Sequence, residues 1–66
     1  GFDAHKEDPM GEINLIDEDF FWVTKMIMDV ARTYCDGKIV SVLEGGYNLS
    51  ALGSAAHKHI EALKGL

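Results

Sequence analysis

The chain has 66 residues, a formal net charge of −5 and one cysteine, Cys35. A chain this short holds a single unit at most, since it buries only about 60% of the surface that its unfolded form exposes. The lone cysteine excludes an internal disulfide framework and points to a reducing, cytoplasmic setting. Seven of the eleven acidic residues precede Phe20, with Lys6 as the only base among them. Lys25, Arg32, Lys38, Lys58 and Lys64 are scattered singly, so binding to nucleic acid is not expected. The longest apolar stretch, Ile39 to Leu43 broken by Ser41, is far short of the roughly 20 residues that cross a bilayer, and no membrane association is expected.

In chain order, residues 1–14 mix small, charged and turn-forming residues. Asp8-Pro9 turns its first member away from helix and Gly11 permits a turn, so an irregular loop is expected. A helix then starts at residue 17, where Asp17 can cap the orphan amides and Glu18 and Asp19 suit the positive helix end. Phe20, Val23, Ile27, Val30, Ala31 and Tyr34 recur at three- and four-residue spacing and are expected to share one buried face running to about Cys35. Trp22, Met26 and Met28 lie off that stripe, so neighbours on two sides are expected; Gly37 supplies the stop.

Residues 38–43 (KIVSVL) are short, β-branched and bounded by glycines, the pattern of a strand buried on both faces of a parallel sheet. Gly45-Gly46 then makes a turn, and Asn48 caps a second helix with a stripe of Leu49, Leu52, Ala56, Ile60 and Leu63 ending near Gly65. The order loop, helix, strand, glycine turn, helix is an α/β partial parallel-sheet unit covering residues 1–66, with no second domain. Only Gly1 to Ala4 offers another extended segment, so the sheet is incomplete and the chain reads as part of something larger.

In open α/β sheets ligands bind beyond the carboxyl ends of the strands, which brings the 3–8 segment and the 44–48 segment to one edge. Asp3 and His5 offer ligand types suited to zinc, yet three or four convergent ligands are needed. The alternative is a solvated acidic loop. Gly45-Gly46 permits close backbone approach, and the following helix start favours an anion or oxyanion. Tyr47 can donate its hydroxyl to charge developing on a carbonyl oxygen, or can simply plug the gap above the sheet. His57 and His59, two apart on a helix, point in different directions and are expected to be solvated.

Together, GFDAHKEDPMG at 1–11 and VLEGGYNL at 42–49 resemble the last catalytic segments of the histone deacetylase and acetylpolyamine amidohydrolase superfamily, in its bacterial, class II-like branch. The resemblance implies an arginase/deacetylase-like three-layer α/β fold. It implies that Asp3 is a zinc ligand, that Pro9, Met10, Gly45 and Gly46 line the substrate channel, and that Tyr47 is the catalytic tyrosine, hydrogen-bonding the substrate carbonyl. The implied reaction is hydrolysis of an N-acetyl or related acyl amide of the protein-lysine or polyamine type. The upstream zinc ligands and paired histidines of that family have no counterpart here. The isolated chain is therefore expected to bind no zinc tightly and to be inactive. A different reading is a non-catalytic α/β interaction module that self-associates through unmet sheet edges; a homo-oligomer or a missing N-terminal portion would complete the sheet.

Overall fold

Two helices organise the described residues: the first is closed at both ends by a side chain or turn, and the second begins at a side-chain cap. The computed structural model describes residues 1–64, with a 3-10 turn at Phe2–Ala4 and the helices α1 (Asp17–Tyr34) and α2 (Leu49–Lys64). The expected end of the second helix near Gly65 lies outside the described residues.

Asp17, Glu18 and Asp19 occupy the first turn of α1, as the favourable interaction of carboxylates with the helix N-terminus requires. The cap differs from the expectation. Asp19 reaches back to accept the Ile16 N–H at 2.9 Å, while the Asp17 carboxylate is engaged by His5 and Ser54 instead. At the other end, Asp36 and Gly37 turn left-handed, and the Gly37 N–H returns to the Ala31 carbonyl at 2.9 Å. For α2, Asn48 Oδ1 accepts the Ala51 N–H at 2.9 Å, the cap read from the sequence.

The helices pack through faces that follow the expected stripes only at Ala31. On α1 the buried residues are Thr24, Met28 and Ala31, whereas Val23, Ile27, Val30 and Tyr34 are exposed. On α2 the buried residues are Ala51, Ala55 and Ala62. Alanine has no side-chain entropy to lose on burial, and its small volume lets two helix backbones approach closely. The larger residues Leu49, Leu52, Ile60 and Leu63 are turned aside, lining an open groove with Phe2 and Leu43. Among the described residues the core is consequently thin: Met28 is its one long apolar side chain.

Residues 38–43 form no strand, and Val40 and Val42 are 88% and 70% exposed. A strand exists by pairing its backbone groups with a neighbour, and the described residues offer this segment none. Gly1 to Ala4, the other segment expected to be extended, is taken up by the 3-10 turn. One parallel bridge forms between His5 and Leu15, through Lys6 N–H to the Leu15 carbonyl at 2.7 Å and Leu15 N–H to the Ala4 carbonyl at 3.0 Å. It closes the N-terminal loop onto the start of α1.

Candidate functional site

The N-terminal loop and the glycine corner before α2 meet at one edge of the molecule. The Asp3 side chain lies directly over Gly45: a Cβ at position 45 would be 3.3 Å from the Asp3 Cγ. At Gly46 φ is +118°, and a Cβ there would approach Leu52 Cδ1 to 2.9 Å and Phe2 Cβ to 3.2 Å. Any side chain at 46 would meet both an unfavourable backbone region and two packed neighbours. Gly11 is constrained in the same way, since a Cβ there would collide with the Asp3 carbonyl oxygen. Three glycines thus allow the loop, Asp3 and the corner to nest together.

Asp8 ties the two segments. Its Oδ1 accepts the backbone N–H groups of Met10 and Gly11 at 2.8 and 2.9 Å, forming an Asx-type turn around Pro9. Its Oδ2 accepts the backbone N–H of Tyr47 at 2.7 Å, across 39 positions of sequence. The side chain is buried, and these bonds, that from Tyr47 foremost, hold its carboxyl below the ordinary value of 3.8 despite the opposing effect of desolvation. Tyr47 itself is 60% exposed, so its ring projects from a corner whose backbone is fixed. Pro9 and Met10 form the exposed tip of the loop.

His5 is no part of a solvated loop; it is buried at 6% exposure. Its Nδ1 accepts the Glu7 N–H at 3.1 Å, which leaves the proton on Nε2, where it is donated to Asp17 Oδ1 at 2.9 Å. The ring also stacks on Phe20. His5 therefore anchors the loop to α1 rather than joining Asp3 as a ligand. His59 likewise is not simply solvated. Thr24 Oγ1 donates to the Phe20 carbonyl, so it must accept from His59 Nδ1 at 2.8 Å, while Ser41 Oγ donates to His59 Nε2 at 2.8 Å. That imidazole bridges both helices and the extended segment. His57 is the solvent-facing one, beside Glu61.

The structure thus brings together Asp3, Gly45, Gly46 and Tyr47. Sequence reasoning overlooked Asp8 and passed over Gly11 as merely a turn former. The signal for both was the Asp-Pro-Met-Gly spacing, in which an Asp precedes backbone amides two and three residues on. Among the described residues, no three His, Cys, Asp or Glu side chains gather closely enough to hold a metal ion. Zinc requires three or four protein ligands, so the donors here fit one corner of such a site, at Asp3, and not a complete one.

This chain belongs to the histone deacetylase family: the model described as "Histone deacetylase domain" matches residues 1–63. The family's fold is the arginase/deacetylase-like α/β architecture, to which these residues contribute two helices and the glycine corner. The chain is 48% identical to Type-2 histone deacetylase 2 of Dictyostelium discoideum, over 96% of this chain and 4% of that protein. It is 40% identical to Polyamine deacetylase HDAC10 of Danio rerio, over 98% of this chain and 9% of that protein. With the Histone deacetylase-like amidohydrolase of Pseudomonas aeruginosa the identity is 35%, over 100% of this chain and 17% of that protein. The chain therefore spans a small part of the relatives it matches. No helix among the described residues is long and apolar enough to cross a membrane.

Proposed function

We propose that this chain supplies one wall of the active site of a zinc-dependent hydrolase that removes acetyl or related acyl groups from amide nitrogen, of the protein-lysine or polyamine type. The observation that carries the reading is the seating of the Asp3 carboxyl over Gly45, next to the corner that presents Tyr47. Family membership supports it, as do the histone and polyamine deacetylases among the relatives.

Asp3 serves as one zinc ligand, and the remaining ligands and the general base lie outside this chain's residues. Bound zinc supplies Lewis-acid polarisation of the scissile carbonyl and a water of lowered pKa. Tyr47 donates its phenolic hydrogen to the substrate carbonyl oxygen as negative charge develops there, a contribution whose loss typically costs about 10²–10³ in kcat. Gly45 and Gly46, lacking side chains, let Asp3, Phe2 and Leu52 pack against the corner and border the channel beside that hydroxyl. Pro9 and Met10 form the opposite lip of the channel.

The test is Tyr47→Phe in the complete enzyme. Turnover falls about 10²–10³-fold with zinc content unchanged; wild-type turnover removes Tyr47 from the mechanism. The 66-residue chain by itself, with one carboxylate ligand, retains no stoichiometric zinc through dialysis and deacetylates nothing.

A second reading is an interaction module that self-associates, not through the expected sheet edges, since no strand forms among the described residues, but through a helix face. Trp22, Met26, Ile27 and Val30 form an apolar patch on the outer face of α1, each at least 49% exposed. In the complete enzyme that face is covered by the rest of the deacetylase domain; in the isolated chain a second copy covers it.

A further inference from the structure

We propose that Asp8 is a positioning residue for Tyr47, setting the place of the phenol through the tyrosine's own backbone N–H. The inference rests on the assignment of Tyr47 as oxyanion donor and goes beyond it to the residue that aims that donor.

Three observations carry it. Asp8 is 7% exposed and spends both carboxylate oxygens on backbone N–H groups: one oxygen closes its own loop at Met10 and Gly11, the other holds Tyr47. The bond to Tyr47, at 2.7 Å, is the shortest of the three. Gly46, immediately before Tyr47, sits at φ +118° against Leu52 and Phe2, so the corner has a fixed path on one side. On its other side the N–H of Tyr47 is the backbone group that the Asp8 bond fixes.

The turn that Asp8 closes packs against Asp3, whose carbonyl oxygen lies against Gly11. One buried carboxylate therefore sets the spacing between the proposed zinc ligand and the proposed oxyanion donor. Misplacement of a catalytic group by about 1 Å costs on the order of 10²-fold in rate, which gives a positioning carboxylate a measurable kinetic effect. No contact of Asp8 with substrate is required.

Asp8→Asn isolates the role. A carboxamide has one acceptor oxygen and one NH2 donor, so it can serve the Met10–Gly11 pair or Tyr47 and must present N–H to N–H at the other. In the complete enzyme, the expected result is a fall in kcat of about 10–100-fold, with KM changed less than about threefold and zinc content retained. The same change made in the Tyr47→Phe background lowers kcat no further, since a residue acting only through the phenol has nothing left to position.

Wild-type kcat in Asp8→Asn, or an equal fold-loss in both backgrounds, overturns the proposal while leaving the Tyr47 assignment standing. Wild-type kcat in Tyr47→Phe removes that assignment itself, so the two failures are distinguishable. If Asp8→Asn does not fold, replacing the Gly46–Tyr47 amide with an ester by semisynthesis removes only the donor and leaves the Asp8 loop intact. A similar 10–100-fold loss of kcat with zinc retained is then expected, and unchanged kcat overturns the proposal.

Discussion

His5 Nε2 donates to Asp17 Oδ1 at 2.9 Å, and the same carboxylate oxygen accepts the Ser54 hydroxyl at 3.0 Å. One oxygen thereby joins the N-terminal loop, the first turn of α1 and the first turns of α2. With so thin an apolar core, this polar junction carries an unusual share of the fold. His5→Leu keeps the ring's approximate bulk and removes both of its hydrogen bonds, the one donated to the half-buried Asp17 and the one accepted from the Glu7 N–H. A hydrogen bond whose partners can return to water typically contributes about 0.5–1.5 kcal/mol net. Small single cores supply only about 3–5 kcal/mol in total. Substitution is expected to lower the urea midpoint of the chain sharply and to reduce its helical circular dichroism at 25 °C; an unchanged midpoint would show that the junction is incidental.

The second polar bridge is more local. Thr24 is 5% exposed and its hydroxyl accepts from His59 across the α1–α2 interface. Thr24→Val preserves shape and deletes the acceptor, and His59→Leu deletes the donor. If the two groups act as a pair, the double mutant is less destabilised than the sum of the singles, with a coupling of about 0.5–3 kcal/mol. Additive effects in denaturant unfolding would show that each residue matters only for its packing.

Helix boundaries were legible in the sequence because they rest on local signals: three acids at 17–19, Gly37, and Asn48. The meeting of Asp3 with Gly45 was legible too, although the sheet edge from which it was argued does not form among the described residues. What failed depended on partners. The 38–43 segment has strand composition, but its backbone groups have no ladder among the described residues. The stripe on α1 holds only at Ala31, because the helix carries apolar residues on two faces and periodicity does not say which face meets α2. Alanines 51, 55 and 62 decided that, selecting for close approach over bulk. The buried His5 and the half-buried His59 are held by hydrogen bonds spanning 12 and 35 residues, which no spacing rule detects.

Gly11 tests the nesting of the loop. A Cβ there would overlap the Asp3 carbonyl oxygen, which is backbone and cannot rotate away. Gly11→Ala must therefore displace either Asp3 or the Asp8 turn. The expected outcome in the complete enzyme is weaker zinc retention in a chelator competition, because the proposed ligand moves with its backbone. Retention equal to wild type, with activity intact, would mean that the loop relaxes without moving Asp3.

The lowered pKa of Asp8 fixes a direction of pH dependence. A carboxyl whose folded value lies below its unfolded value of 3.8 contributes stability that is fully present above that value and lost as pH falls through the folded one. Acid unfolding of the chain therefore includes release of the Tyr47 N–H, and Asp8→Asn flattens that part of the profile. Lys58 has the opposite sign at the alkaline end. Its hydrogen bond and charge interaction with Glu18, 3.3 Å away, raise its pKa above 10.5, so its contribution persists below that value and is lost as pH rises through the folded one. Titration followed by circular dichroism checks both limbs; an Asp8→Asn profile identical to wild type below pH 3.8 removes the acid-limb assignment.

The outer face of α1 separates the two proposed settings of the chain. Trp22 is 61% exposed, Ile27 51% and Val30 59%, with Met26 between them at 49%. Contiguous apolar surface of this kind on a small protein favours association, because its burial returns roughly 25 cal/mol per Å². The isolated chain is expected to show a mass that rises with concentration in sedimentation equilibrium, and Ile27→Lys to shift it toward monomer. In the complete enzyme the same substitution places a charge where the rest of the domain is proposed to pack, so it lowers the melting temperature instead of changing the mass. A chain that stays monomeric at every concentration excludes self-association through this face, and a melting temperature unmoved by Ile27→Lys in the complete enzyme excludes its burial there.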